Sequence, residues 1–109
     1  MTNPRIDAFR AMLAKSPNNA LARFGLANEL LKAAQYDEAR EHLVAYLAAY
    51  DDEGNGYARL AEALEKLGRT DEARDALRRG IAASRRFGHA GMANELEARL
   101  EELGGEASA

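Results

Sequence analysis

A period of 34 residues is the sequence feature that most constrains this chain. The segment Asp37–Arg40 recurs 34 positions later as Asp71–Arg74. A period of this length is typical of a solenoid, in which each unit buries its apolar face only against its neighbours. We therefore predict two full units, 20–53 and 54–87. The same offset relates further pairs in both halves of the unit: Leu26 and Leu60, Ala27 and Ala61, Leu30 and Leu64, Lys32 and Lys66, Leu43 and Leu77, Ala48 and Ala82, Ala49 and Ala83.

The apolar residues within each unit follow helical spacing, and only Pro4 and Pro17 could interrupt a helix. Frequent alanine and an aromatic content of 6% also favour helices over a β-sandwich. Asn3 is a candidate cap for the first helix, and Thr70 is one for the fifth. The segment 51–56 is predicted to be a turn. The pattern predicts six helices, over 3–15, 19–33, 37–50, 57–67, 70–87 and 90–103.

The two ends of the chain depart from the full unit. Residues 3–15 align with the second helix of a unit, which predicts a half unit followed by a turn at Pro17. The last helix breaks the register, because an offset of 34 from Leu60 and Leu64 falls on Asn94 and Ala98. We interpret 90–103 as a helix that caps the stack, since terminal repeats are atypical. The prediction is a single domain over 1–105 with a frayed tail over 106–109.

Composition excludes several classes of function. The chain has 109 residues, a formal net charge of −3 and no cysteine, which excludes disulfides, thiolate metal sites and a cysteine nucleophile. The acidic balance argues against nucleic-acid binding, which needs a basic surface. The longest apolar run, 43–50, is too short to span a bilayer, and no segment resembles a signal peptide. We expect a cytoplasmic protein with no membrane partner and no cofactor.

No pattern for catalysis is apparent. His42 and His89 lack partner ligands at metal-binding spacing, and we expect both to face solvent. The carboxylates fall on predicted helix surfaces or helix starts, and the glycine pairs lack the lysine and serine or threonine of a phosphate loop. We therefore predict that the chain is not an enzyme. The arginines at 78, 79, 85 and 86, flanked by Arg69 and Arg74, form either an ordinary charged surface or a contact for an acidic partner or RNA.

At these residues the chain resembles the tetratricopeptide repeat (TPR) family. The leucine and small-residue pairs are Leu26–Ala27 and Leu60–Ala61, and the small residues of the second helix are Ala39 and Ala73. The resemblance implies an all-α, right-handed stack of antiparallel helical hairpins with alanines where helices cross. Arg23, Thr70, Asp51, Arg85 and Tyr46 depart from the family pattern. The layout is also similar to that of small stand-alone bacterial members of the family.

The resemblance implies a concave groove that binds a peptide or a helix of a partner protein. Family members with a carboxylate clamp carry a lysine where this chain has Phe24, so we expect no clamp, although Asn28 fits one of its positions. A groove that combines amide, charged and apolar groups is suited to peptide recognition. The residues that the resemblance places on this surface are Phe24, Asn28, Leu31, Lys32, Asn55, Arg59, Glu62 and Lys66.

Two alternatives remain open from the sequence. The short stack could assemble with other copies of itself through its end helices, using either Phe9, Met12 and Leu13 or Met92, Leu96 and Leu103. The groove could also be occupied by the chain's own C-terminal helix instead of a partner.

Overall fold

The computed structural model describes residues 3–106 and is helical throughout, without a strand in that range. The helices are α1 (Pro4–Lys15), α2 (Ala20–Lys32), α3 (Tyr36–Ala49), α4 (Asn55–Lys66), α5 (Thr70–Arg86) and α6 (Ala90–Glu102). Consecutive helices pack against each other, and α2 also contacts α4. This confirms the predicted all-α stack of hairpins. None of these helices has both the length and the apolar character needed to cross a bilayer.

The helix starts confirm one of the two predicted caps, Asn3, and contradict the other. The Asn3 side chain accepts hydrogen bonds from the backbone N–H groups of the first turn of α1, and Asn19 does the same for α2. The prediction of Thr70 as a cap is wrong, because Thr70 is the first helical residue and Arg69 precedes it without a side-chain bond. Helix α4 begins at Asn55, two residues earlier than predicted, because Asp52 anchors the N–H of Gly56.

One three-residue turn joins consecutive helices at three places within residues 3–106. Its central residue has positive φ, at Ala34 (59°), Gly68 (76°) and Gly88 (78°). In each turn the next backbone N–H donates to the carbonyl five residues earlier, which is the Schellman ending of a helix. The turns at 33–35 and 67–69 lie within the predicted units, and the turn at 87–89 joins α5 to α6 by the same geometry.

Alanines lie where the helices approach closely, as predicted. Ala27, Ala39, Ala61 and Ala73 are all fully buried, at 0% exposure. A larger side chain at any of them would force two helices apart. The rest of the core consists mainly of leucines and isoleucines on the facing sides of the helices: Ile6, Leu26, Leu30, Leu31, Leu43, Leu60, Leu64, Leu77, Ile81, Leu96 and Leu100.

Helix α6 packs against α5 through Gly80. A Cβ atom added at Gly80 would lie 2.9 Å from Cβ of Tyr57 and 3.1 Å from Cδ1 of Leu96, so this position must be glycine for α4 and α6 to approach. Gly54 lies against the same region, beside Gly80, Ser84 and Met92. Helix α5 has 17 residues and α3 has 14, and the connection that follows α5 is two residues shorter, so α6 begins 35 residues after α4 instead of 34.

The division of these helices into a half unit, two full units and a cap stays a prediction. Of the predicted frayed tail, only Glu106 lies within the described residues, and its carbonyl accepts a hydrogen bond of 3.0 Å from Nε of Arg78.

Candidate functional site

Five of the eight predicted groove residues line one cavity between α2 and α4. The cavity has a volume of about 280 Å³, and no residue of α6 lines it, so the C-terminal helix does not occupy it. Leu31 is almost fully buried, and the polar residues surround it. Its lining consists of Asn28, Leu31, Lys32, Arg59 and Glu62. The arrangement offers an amide, two cations and a carboxylate beside an apolar side chain.

The charged residues of this cavity already have partners within the chain. Arg59 lies 3.6 Å from Glu62, and Nζ of Lys32 donates to Oε2 of Glu29 at 3.0 Å. Arg5 of α1 lies 3.7 Å from the other oxygen of Glu29. Ion pairs with exposed members contribute little stability, so a partner's charges can replace them. Glu29 was missed from the sequence, although its spacing of three from Lys32 on a helix is a signal for such a pair.

The other three predicted residues lie outside the cavity. Phe24 is half-buried and its ring stacks on Tyr46 of α3 with the centroids 4.9 Å apart. Asn55 is exposed at the first residue of α4, and Lys66 is exposed at the last. Phe24 therefore serves the packing of α2 on α3, while Asn55 and Lys66 mark the two ends of α4.

Helix α6 contacts α4 through the side chain of Arg99. Arg99 donates to Oε2 of Glu65 at 3.0 Å and to the carbonyl of Ala58 at 3.4 Å, which ties α6 to α4. The sequence gives no local signal for this pair, because its members are separated by 34 residues and lie on different helices.

The residues considered for self-assembly are mostly used inside the chain. Leu96 is buried, and four others are half-buried and pack against the core: Phe9, Leu13, Met92 and Leu103. Met12 is the exception, with 45% of its surface exposed.

The two histidines differ in their surroundings. His89 is exposed near Glu53, as predicted. The prediction for His42 is wrong, because its side chain is half-buried between α2 and α3, with Nδ1 3.0 Å from Arg23 and Nε2 3.4 Å from Glu38. The Arg10 guanidinium, which also hydrogen bonds to Glu38, holds the pKa of that carboxyl below its usual value. Within residues 3–106 no group of three or more histidine, aspartate or glutamate side chains could hold a metal ion.

The arginines of α5 are engaged with other parts of the chain. Arg85 pairs with Glu97 of α6, and Arg86 pairs with Asp51. The guanidinium of Arg79 lies 5.1 Å from the ring centroid of Tyr57, and Arg78 bonds the carbonyl of Glu106. These contacts favour the interpretation of an ordinary charged surface over a contact for an acidic partner.

Comparisons with known proteins agree with this fold. A family model described as tetratricopeptide repeat matches residues 1–84. A TPR repeat-containing protein of Pseudomonas aeruginosa is 32% identical over 98 residues, which cover 90% of this chain and 93% of that protein. The solution structure of a Bordetella parapertussis protein matches with a TM-score of 0.81 and 30% identity, covering 95% of this chain and 90% of that one.

Proposed function

Because this chain belongs to the tetratricopeptide repeat family, whose members generally act as protein-interaction scaffolds, we propose that it binds a partner protein in the cavity between α2 and α4. The ligand is an extended peptide or a helix of that partner, and the protein works without catalysis or a cofactor in the cytoplasm. The observation that carries the proposal is the convergence of Asn28, Leu31, Lys32, Arg59 and Glu62 on one cavity.

The chemistry of this cavity suits a peptide more than a small metabolite. The amide of Asn28 can both donate to and accept from a peptide backbone, and the small exposed part of Leu31 adds a limited apolar contact. The exposed cations Lys32 and Arg59 can turn from the buried Glu29, which also has Arg5 beside it, and the half-buried Glu62 toward charges on the peptide. With Asn55 and Lys66 at the two ends of α4, the proposed surface follows the whole length of that helix, roughly 18 Å for its residues.

The test compares proteins captured by variants of this chain. Lys32→Glu combined with Arg59→Glu reverses two exposed charges of the cavity, and Lys15→Glu combined with Arg69→Glu makes the same change of charge on exposed residues outside it. Both variants should keep their helical circular dichroism. We expect the parent and the control to capture the same partner, identified by mass spectrometry, and the cavity variant to lose it. Capture of the same proteins by all three would contradict the proposal.

Self-assembly through the end helices is the alternative function. The packing of Phe9, Leu13, Met92, Leu96 and Leu103 within the chain favours groove binding instead. Light scattering distinguishes the two: we expect a monomer at ~100 μM, where even weak association with a micromolar Kd gives mostly dimer. A dimer that Met12→Ser converts to a monomer would favour self-assembly.

A further inference from the structure

Four side chains from α1, α2 and α3 form a hydrogen-bonded network around His42. Nη2 of Arg10 on α1 donates to Oε1 of Glu38 at 2.9 Å, and Oε2 of Glu38 lies 3.4 Å from Nε2 of His42 on α3. Nδ1 of His42 lies 3.0 Å from Nη1 of Arg23 on α2. Nη2 of Arg23 donates to the backbone carbonyl of Pro17 at 3.0 Å. The network therefore connects α1, and the turn that follows it, to α3.

The contact between Arg23 and His42 fixes the protonation of the imidazole. A guanidinium has donors and no acceptor, so Nδ1 of His42 must accept the hydrogen bond and carries no proton. The single proton of the neutral ring then lies on Nε2, from which it points to the carboxylate of Glu38. The network is complete only with this one neutral form of His42.

A second proton on His42 would break the contact with Arg23. Nδ1 would become a donor, and a cation would lie 3.0 Å from the guanidinium. Three positive charges, its own and those of Arg10 and Arg23, would then lie around the single carboxylate of Glu38. The other carboxylate nearby, that of Asp7 on α1, acts on Arg10. Protonation of His42 therefore sets the side chains of α1 and α2 against α3.

The surroundings of Arg23 leave room for it to move. Arg23 lines a cavity of about 400 Å³ between α2 and α3, beside the small side chains of Ala45 and Ala49. A repelled guanidinium can rotate into this space and leave the carbonyl of Pro17. Since α1 packs mainly on α2, the links through Pro17 and Arg10 are what tie it to the rest of the stack.

We propose that His42 is a pH switch: its protonation releases Arg23 from α3 and from the turn at Pro17, and so loosens the docking of α1. Protonation costs the docked state a hydrogen bond that the undocked state does not make, so docking weakens as the pH falls. Histidine side chains change charge between about pH 5 and 8. The hydrogen bond from Arg10 holds the pKa of Glu38 below its usual value, so that carboxylate stays ionised over the same range. The switch does not depend on the function proposed for the cavity between α2 and α4.

The experiment follows the ¹⁵N-labelled protein by NMR between about pH 8 and about pH 5. At the higher pH we expect the imidazole of His42 to be the Nε2–H tautomer. On acidification the amide of Asn18, which shares a peptide group with the Pro17 carbonyl, should shift with the same midpoint as this imidazole. The hydrogen-exchange protection of the α1 amides should fall about tenfold, which is the effect of losing roughly one hydrogen bond.

Variants of the two histidines separate this switch from other titrating groups. His42→Asn places a carbonyl oxygen near the position of Nδ1, where it can accept from Arg23 but takes up no proton in this range. It should keep α1 protected at the lower pH. His42→Gln offers the same acceptor on a longer side chain and repeats the test. His89→Asn changes the exposed histidine and should lose protection as the parent does.

Three outcomes would overturn the proposal. The first is a neutral His42 with its proton on Nδ1, and the second is an Asn18 amide that does not follow the titration of His42. The third is an equal loss of α1 protection in the parent and in both His42 variants. A loss that begins only below about pH 4 would belong to the carboxylates and would also contradict a switch at His42.

Discussion

The connection from α3 to α4 and the connection from α5 to α6 are stabilised in different ways. The first has five residues, 50–54, and is held by the buried carboxylate of Asp52. That carboxylate accepts from the hydroxyl of Tyr46 at 2.7 Å and from the N–H groups of Gly54 and Gly56 at 2.7 and 2.8 Å. The second has three residues, 87–89, and needs no such anchor because a Schellman turn satisfies its backbone.

Each of these two contacts has one glycine, which lies on the later helix in the first contact and on the earlier helix in the second. In the first, Gly56 of α4 faces the large side chain of Tyr46 on α3; in the second, Gly80 of α5 faces Leu96 of α6. Tyr46 and Gly80 are 34 residues apart and so hold equivalent positions in the repeat. Close helix contact requires one small partner, and the repeat accepts it on either helix. A repeat can therefore conserve its spacing while it changes which residue fills the space.

The largest expected effect comes from removing the large partner of the first contact. Tyr46→Ala should destabilise the protein by about 4 kcal/mol, because it leaves a cavity beside Gly56 and removes the hydroxyl that donates to Asp52. Urea denaturation followed by circular dichroism measures the change. Tyr50→Ala is the matched control, since Tyr50 stacks on Tyr46 with the centroids 5.2 Å apart but is largely exposed, and it should cost about 1 kcal/mol. Equal losses in the two variants would contradict the role given to Tyr46.

The anchor of the first connection gives the next effect. Asp52→Ala should cost about 3 kcal/mol, because it leaves three donors without their acceptor. Asp51→Ala, one residue earlier and exposed, should cost less than about 0.5 kcal/mol, since it removes only a surface pair with Arg86. The same denaturation measurement compares them. A small loss for Asp52→Ala would mean that the five-residue connection holds its shape without an anchor.

The positions of the helices could be predicted from the sequence, but a buried anchor such as Asp52 could not. The period of 34 and the helical spacing predicted all six helices, with starts that differ from the structure by no more than two residues. Asp52 resembled any other acid in 51–56, because its burial depends on Tyr46 from another element. Five of the eight residues proposed for the groove line one cavity, whereas Phe24 stacks on Tyr46 because that tyrosine occupies a position where the family has a small residue. Contacts between residues distant in sequence, such as Arg99 with Glu65, left no local pattern to find.

A smaller effect is expected from adding one methyl group to the second contact. Gly80→Ala should destabilise the protein by about 1.5 kcal/mol, because overpacking against Tyr57 and Leu96 outweighs the better helix propensity of alanine. Gly91→Ala, in α6 with open space around the new methyl group, should stabilise the protein by about 0.5 kcal/mol. Thermal melting compares both with the parent. A gain in stability from Gly80→Ala would show that α6 does not need the close approach.

The smallest effect tests the turn that the second connection shares with the hairpins. Ala34 adopts positive φ where the equivalent residue is Gly68. Ala34→Gly should stabilise the protein by about 1 kcal/mol, because glycine has no Cβ penalty in this conformation. Gly68→Ala should cost a similar amount, and its added methyl group meets no neighbour within 4 Å. If the two melting temperatures did not move in opposite directions, the turns would not be equivalent.

The position of Gly54 links the two connections. It belongs to the first connection, yet it lies against Gly80, Ser84 and Met92 of the second contact. In an ideal linear array each unit depends only on its immediate neighbour, so the ends can unzip one hairpin at a time. Here the release of α6 would also uncover the backbone of Gly54 and loosen the start of α4. The C-terminal half of the stack should therefore open as one cooperative block, with its amides exchanging hydrogen at a common rate.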